Sequence, residues 1–325
     1  MTDRVKTVNP ATGQVIREFE TISDAQLQQK IEQTHEAFLD WKERSFDERG
    51  ELIRKIGELL VADKDRLSAL MTEEMGKPIG QAPGELDLCK GICDYSADNA
   101  ASVLADEERD LPGGRALVTH QPIGVIFGIQ PWNFPFYQVI RYTIANLMAG
   151  NTVLLKHAPN VWGCAEALEE IFRKAGVPEN VFNVLYIQED QASQVTEHRL
   201  VRGVTFTGSA ATGRKIAAAA GEHLKKTVLE LGSNDAFLVL EDADIDKAVD
   251  ACVTGRINNN GQTCVAAKRF VVVDAVYERF RDAYVEKMQQ ISFGDPADEN
   301  TQLGPIARKD LQENLHQQVK ESIDN

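Results

Sequence analysis

The sequence predicts an α/β fold, a doubly wound parallel sheet followed by a second, smaller and incomplete α/β unit. Three observations predict it. Between residues 124 and 231, short apolar runs alternate with helical patterns. Those runs are continuously apolar, as parallel strands covered on both faces are. A second strand–helix series starts near residue 232 and stops at a helix with no strand after it.

The elements follow in order. Residues 23–43 and 47–75 read as amphipathic helices, with Leu52, Ile56, Leu59, Leu60, Leu67 and Leu70 at helical spacing in the second. Asp47 suits its N-cap, and Gly76, Lys77 and Pro78 end it. A third helix spans 84–105. Pro112, Gly113 and Gly114 make a turn before ALVTH, which predicts a hairpin at about 107–122. Strands are then expected at 124–129, 152–156, 181–185, 201–208 and 227–231. Helices at 135–149, 160–175, 190–198 and 209–222 connect them. Right-handed crossovers wind such units into an open sheet. In the second unit, strands at 237–240 and 269–273 alternate with helices at 244–257 and 276–291, before a final helix.

The length, 325 residues, suits two domains, divided at 1–230 and 231–325, with a large single α/β domain as the alternative. A formal net charge of −15 and a pI near 4.9 argue against nucleic acid and anionic membranes as partners, because both are polyanionic. Five cysteines, an odd and sparse set, fit a reducing compartment. Cys89 and Cys93 lie one helical turn apart without a second Cys/His pair, so two buried helix cysteines are expected and no metal site. MTDRVKTVNPATG has no apolar h-region, and no apolar run reaches membrane-spanning length, so a cytoplasmic protein is expected.

Four segments carry candidate chemistry. NNNGQTC (258–264) leads a polar, glycine-containing run into Cys264; a thiol at a loop-to-helix entrance is a nucleophile candidate, against the common buried cysteine. PWNFP (131–135) follows a predicted strand, where open sheets place ligands; the Asn133 amide suits an oxyanion donor or a helix cap. FTGSAATGRK (206–215) frames a strand-to-helix turn with Gly208 and Gly213, suited to a phosphate or simply a tight turn capped by Ser209. It departs from the P-loop, because Arg214 follows the second glycine and Ile216 cannot hold magnesium. In LELGSND (229–235), Glu230 in an apolar strand needs a raised pKa or a partner, and suits a general base or a structural ion pair. Lys156 ends a strand, beside a cofactor or simply solvated.

Together these segments resemble the aldehyde dehydrogenase superfamily. NPATG (9–13), EMGKP (74–78), PWNFP, AGNTVLLKHAPN (149–160), FTGS, LELG, GQTC and LGP (303–305) run in the family's order and cover the whole chain. EMGKP, PWNFP with Arg141 downstream, and LLKHAPN look most like the bacterial succinate-semialdehyde dehydrogenases. The resemblance implies a Rossmann-like cofactor domain and a catalytic domain. It implies Cys264 as nucleophile, Glu230 as general base and Asn133 as oxyanion donor with the Cys264 backbone N–H. It implies NAD or NADP as cofactor, held through Ile129, Pro131, Trp132 and Lys156. Gly208, Ser209, Thr212, Gly213, Leu231 and Gly232 complete that set. Arg141 is implied to bind a substrate's distal carboxylate, the substrate being a small aldehyde. A glutamate base implies hydrolysis of the acyl enzyme rather than transfer to coenzyme A.

Departures qualify the resemblance. Ser233 stands where a second glycine is usual, which would restrict the loop after Glu230. Pro159 replaces a glutamate that many NAD-preferring members carry, leaving NAD or NADP open. Asn258 replaces a second carboxylate-binding arginine of some relatives, and Ala266 a redox-partner cysteine. Family members continue well past LGP, so a truncated chain is expected; a cofactor-binding fragment without turnover is the alternative reading. The full-length form is expected to be a homo-oligomer through the hairpin.

Overall fold

The computed structural model describes residues 3–324. The chain forms two compact units. One comprises Met1–Thr7, Arg17–Leu67 and Gly84–Glu230; the other comprises Val8–Ile16, Ser68–Pro83 and Leu231–Asn325.

Strands β1 (Arg4–Val8) and β2 (Val15–Glu20) pair in a two-stranded sheet that the sequence reading did not anticipate. They are short, polar and mostly exposed, so no apolar run announces them. NPATG is the turn between them. The Asn9 side chain accepts from the Ala11 and Thr12 backbone N–H groups, and Gly13 takes φ +72°.

Helix α1 (Asp24–Trp41) opens on a capping box between Ser23 and Gln26. The single helix expected over 47–75 is two, α2 (Phe46–Ala62) and α3 (Lys64–Met75). Asp63 breaks it at φ −104° and ψ 20°, where its carboxylate takes the Arg66 Nε–H at 2.8 Å. A short acidic side chain prefers such a junction to a helix interior. The N-cap of α2 is Ser45 and not Asp47. The Ser45 hydroxyl accepts from Glu48 N, and the Glu48 carboxylate accepts from Ser45 N at 2.7 Å. Gly76, at φ +74°, closes α3. Helix α4 (Ala82–Val103) buries Cys89 and Cys93 as expected, and burial pushes the Cys93 thiol up to about 12. The hairpin is present as β3 (Glu107–Leu111) and β4 (Gly114–Val118), antiparallel and exposed.

The main sheet contains β5 (Val125–Gln130), β6 (Thr152–His157), β7 (Phe182–Val184), β8 (Val201–Gly208) and β9 (Lys226–Leu231). Helices α5 (Tyr137–Met148), α6 (Trp162–Lys174), α7 (Glu189–Glu197) and α8 (Ala210–Glu222) connect them. The order is β7-β6-β5-β8-β9, with β5–β6, β6–β7 and β5–β8 parallel. The strand order therefore reverses at β5, and the switch point lies between the carboxyl ends of β5 and β8. Val125, Phe127, Leu154, Leu185, Val201 and Val204 form the core around these strands. Gly128 interrupts an otherwise bulky strand because the buried Tyr142 ring crosses it. A Cβ there would lie 2.1 Å from Tyr142 Cζ. Edge strand β9 is mostly exposed, unlike the four others.

In the other unit, β10 (Ala236–Val239) and β11 (Arg269–Val272) are parallel, and α9 (Ile245–Ile257) runs between them in the chain. Asp244 caps α9. Val239, Ile245, Val249, Cys252, Val253 and Phe280 of α10 (Asp274–Gln289) form this unit's core. Helix α11 (Lys309–Asp324) buries no residue. Among the described residues, no helix is long and apolar enough to cross a membrane.

Candidate active site

Parallel pairing brings several predicted residues to one edge of the main sheet. Ile129 lies opposite Lys156 across β5–β6 and opposite Phe206 across β5–β8. Pro131, Trp132 and Asn133 leave β5 at this edge, half-buried, and Gly208 and Ser209 leave β8 beside them. The Ser209 hydroxyl accepts from Thr212 N at 3.2 Å and starts α8, with Gly213 buried in its first turns. A helix N-terminus at a switch point attracts phosphate. Lys156 is buried rather than solvated. Burial lowers its pKa, opposed by the Glu189 charge. A buried cation at this edge suits an anionic ligand.

Two residues that hold this edge were missed from the sequence. His157, fully buried, donates from Nε2 to Pro135 O at 2.9 Å, while its Nδ1 accepts from Ala158 N at 3.0 Å. It thereby fixes the loop that carries Asn133. The Glu85 carboxylate accepts from Phe136 N and Tyr137 N at 2.8 and 2.9 Å, supplying the cap that Phe136 cannot. The histidine of LLKHAPN was legible as a motif, but nothing in sequence joins Glu85 to a loop 51 residues away.

Burial pushes the His157 imidazole down to about 4 from 6.5, outweighing its backbone partners at Pro135 and Gln130. The folded-state pKa is the lower one, so the unfolded chain binds the extra proton between those values. Stability is full above pH 6.5 and is lost as pH falls toward 4. From pH 7 to pH 5 this one group lowers unfolding free energy by about 2 kcal/mol. Urea melts of the protein and of His157→Gln check it. The variant, with no imidazole to charge, shows a shallower loss over that interval; equal slopes would contradict the assignment.

Glu230 is the penultimate residue of β9, exposed, and its partner is Arg141 of α5, with Nη1 3.7 Å from Oε1. Arg141 also lies over the Tyr137 ring, 5.6 Å from its centroid. Leu231 is half-buried, and Gly232 and Ser233 are exposed.

In the second unit Cys264 is the exposed thiol, and the other four cysteines are buried. The helix start expected at Cys264 is absent. α9 ends at Ile257, residues Asn258–Gly261 form a 3-10 turn, and the chain reaches β11 without another helix. The reason is local. Asn259, Asn260 and Gly261 take φ of 52°, 58° and 72°, three successive left-handed residues that turn the backbone out of a helix. A Cβ on Gly261 would lie 2.3 Å from the Arg256 guanidinium.

Side-chain bonds to the main chain hold this backbone. Asn260 Nδ2 donates to Gly76 O at 2.8 Å and Pro305 O at 3.0 Å, and its Oδ1 accepts from Gly304 N at 2.7 Å. EMGKP, NNNGQTC and LGP, far apart in sequence, thus meet at one side chain. Gln262 accepts from Ala307 N, and Arg256 donates to Gly261 O and Ala267 O. Lys268 Nζ donates to both Cys264 O and Ser233 O at 2.8 Å, and the Ser233 hydroxyl reaches Cys264 O at 3.2 Å. Ser233 is therefore tied to the cysteine loop through its hydroxyl and its backbone oxygen.

The profile of the aldehyde dehydrogenase family matches residues 1–325. The chain is 42% identical over 318 residues to the succinate-semialdehyde dehydrogenase [NADP(+)] of Deinococcus radiodurans, covering 98% of this chain and 67% of that protein. It is 40% identical over 316 residues to the succinate semialdehyde dehydrogenase [NAD(P)+] of Escherichia coli, covering 97% and 68%. The crystal structure of succinic semialdehyde dehydrogenase from Streptococcus pyogenes with NADP+ superposes with a TM-score of 0.96 at 36% identity. That match covers 98% of this chain and 70% of the other. With its family motifs at a parallel-sheet edge and on a backbone-locked cysteine loop, the chain belongs to the aldehyde dehydrogenase family.

Proposed function

We propose that this chain oxidises succinate semialdehyde, or a similar small carboxylated aldehyde, to its acid with NADP or NAD. The observation that carries the chemistry is Cys264, an exposed thiol on a loop locked by Asn260, Arg256 and Gln262. Within residues 1–230, the unit of residues 17–67 and 84–230 serves the cofactor, while 231–325, which groups with 8–16 and 68–83, carries the nucleophile. The exposed apolar residues of the β3–β4 hairpin, Leu111, Leu117 and Val118, suit a homo-oligomer contact.

Lys156, Trp132 and the Gly208–Gly213 turn fit a dinucleotide, because a buried cation and a capped helix start converge on one sheet edge. When bound, that cofactor supplies the hydride acceptor. Pro159, three places after Lys156, puts no carboxylate at that position against a 2′-phosphate, and of the similar proteins named above one is an NADP(+) enzyme, one an NAD(P)+ enzyme and one was crystallised with NADP+.

The chain's own residues do the rest. The Cys264 sulfur attacks the aldehyde carbon. The Asn133 amide and the Cys264 N–H hold the oxyanion. After hydride loss the acyl group is a thioester on Cys264. Glu230 takes a proton from water, which attacks the acyl carbon; the C–S bond breaks and Cys264 leaves as thiolate. Arg141 binds the distal carboxylate, as a guanidinium fork suits. Cofactor reduction with succinate semialdehyde and with butanal tests the substrate. A higher kcat/KM for the carboxylated aldehyde is expected, and parity would sink the carboxylate reading.

A further inference from the structure

Arg141 and Glu230 carry an observation that the proposed chemistry does not use. They are the proposed substrate anchor and the proposed base, yet they face each other across 3.7 Å within one unit. We propose that Arg141 holds two carboxylates in turn, Glu230 before substrate binds and the substrate's own carboxylate after, so that a carboxylated substrate releases the base. This rests on the substrate reading above.

The geometry favours exchange over a permanent ion pair. A hydrogen-bonded guanidinium–carboxylate contact is about 2.7–2.9 Å long. At 3.7 Å the contact with Glu230 is electrostatic only, between side chains 34% and 50% exposed. Such exposed pairs are weak, and their loss shifts an equilibrium by no more than roughly fivefold. A substrate carboxylate that engages the fork through two hydrogen bonds outcompetes so loose a partner. Arg141 is braced for either occupant, because its guanidinium lies over the Tyr137 ring one helical turn back.

The consequence falls on thioester hydrolysis. An uncharged acyl group leaves Arg141 free to hold Glu230, so the water proton meets an occupied base and hydrolysis is slow. A succinyl group occupies Arg141 and frees Glu230. Specificity for carboxylated aldehydes then arises twice, once in binding and once in deacylation.

The test loads Cys264 with a butyryl group from p-nitrophenyl butyrate and follows thioester decay by quenched-sample mass spectrometry. Arg141→Gln is expected to decay roughly two- to fivefold faster than the unaltered protein. Millimolar propionate, a free carboxylate for Arg141, is expected to speed decay in the unaltered protein and not in the variant. Unchanged or slower decay in Arg141→Gln, or no effect of propionate on the unaltered protein, would overturn the proposal. The substrate reading fails separately: in that case Arg141→Gln leaves kcat/KM for succinate semialdehyde unchanged, whatever happens to butyryl decay.

Discussion

Replacing Cys264 by alanine removes aldehyde oxidation, by roughly four orders of magnitude or more, because no other group can form the covalent intermediate. The four remaining cysteines are buried, and burial raises the pKa of Cys93 and Cys252, so neither offers a thiolate. The loss is confined to chemistry. Among the described residues, the bonds that tie Cys264 to the loop go from Lys268 and Ser233 to its backbone oxygen, which alanine retains. Melting temperature and cofactor affinity, by calorimetric titration, should therefore stay near those of the unaltered protein. Retained turnover would remove Cys264 from the mechanism.

Replacing Asn133 by alanine lowers kcat by roughly a hundred- to a thousandfold, the usual cost of one oxyanion donor. The effect should appear in kcat with little change in KM, because the interaction strengthens only as negative charge develops. Asn133→Asp should be at least as damaging, since a carboxylate faces the oxyanion. The loop itself survives either change. Its backbone is held from outside, by His157 at Pro135 O and by Glu85 at Phe136 N and Tyr137 N. A matching loss of thermal stability would point instead to a structural asparagine, though not to the helix cap the sequence offered as the alternative, because Glu85 caps α5.

The parallel sheet was legible because unbroken apolar runs require cover on both faces, and β5, β6, β7 and β8 are buried accordingly. β1 and β2 were not legible, being polar strands of five and six residues. The break at Asp63 was hidden because apolar spacing continues through it into α3. A helix period records which face is buried, not whether the backbone is continuous. At the candidate site, residue types with intrinsic reactivity stood out: the thiol, the strand glutamate, the amide between two prolines. What supports them did not. His157, Glu85 and Asn260 act on backbone groups brought close only by folding, and no local spacing marks such a bond. Cys264 shows both sides of this. Its exposure matched the polar run before it, while the expected helix start gave way to three left-handed residues.

One measurement decides whether Cys264 carries the acyl group. A Glu230→Gln variant, slowed in hydrolysis, is mixed with succinate semialdehyde and oxidised NADP, quenched in acid and digested. Peptide mass spectrometry should find a succinyl adduct on the Cys264 peptide, removed by hydroxylamine as a thioester is and absent when cofactor is omitted. An unmodified Cys264 peptide in a sample that has formed reduced cofactor, or an adduct on a different residue, would contradict a thioester mechanism through this loop.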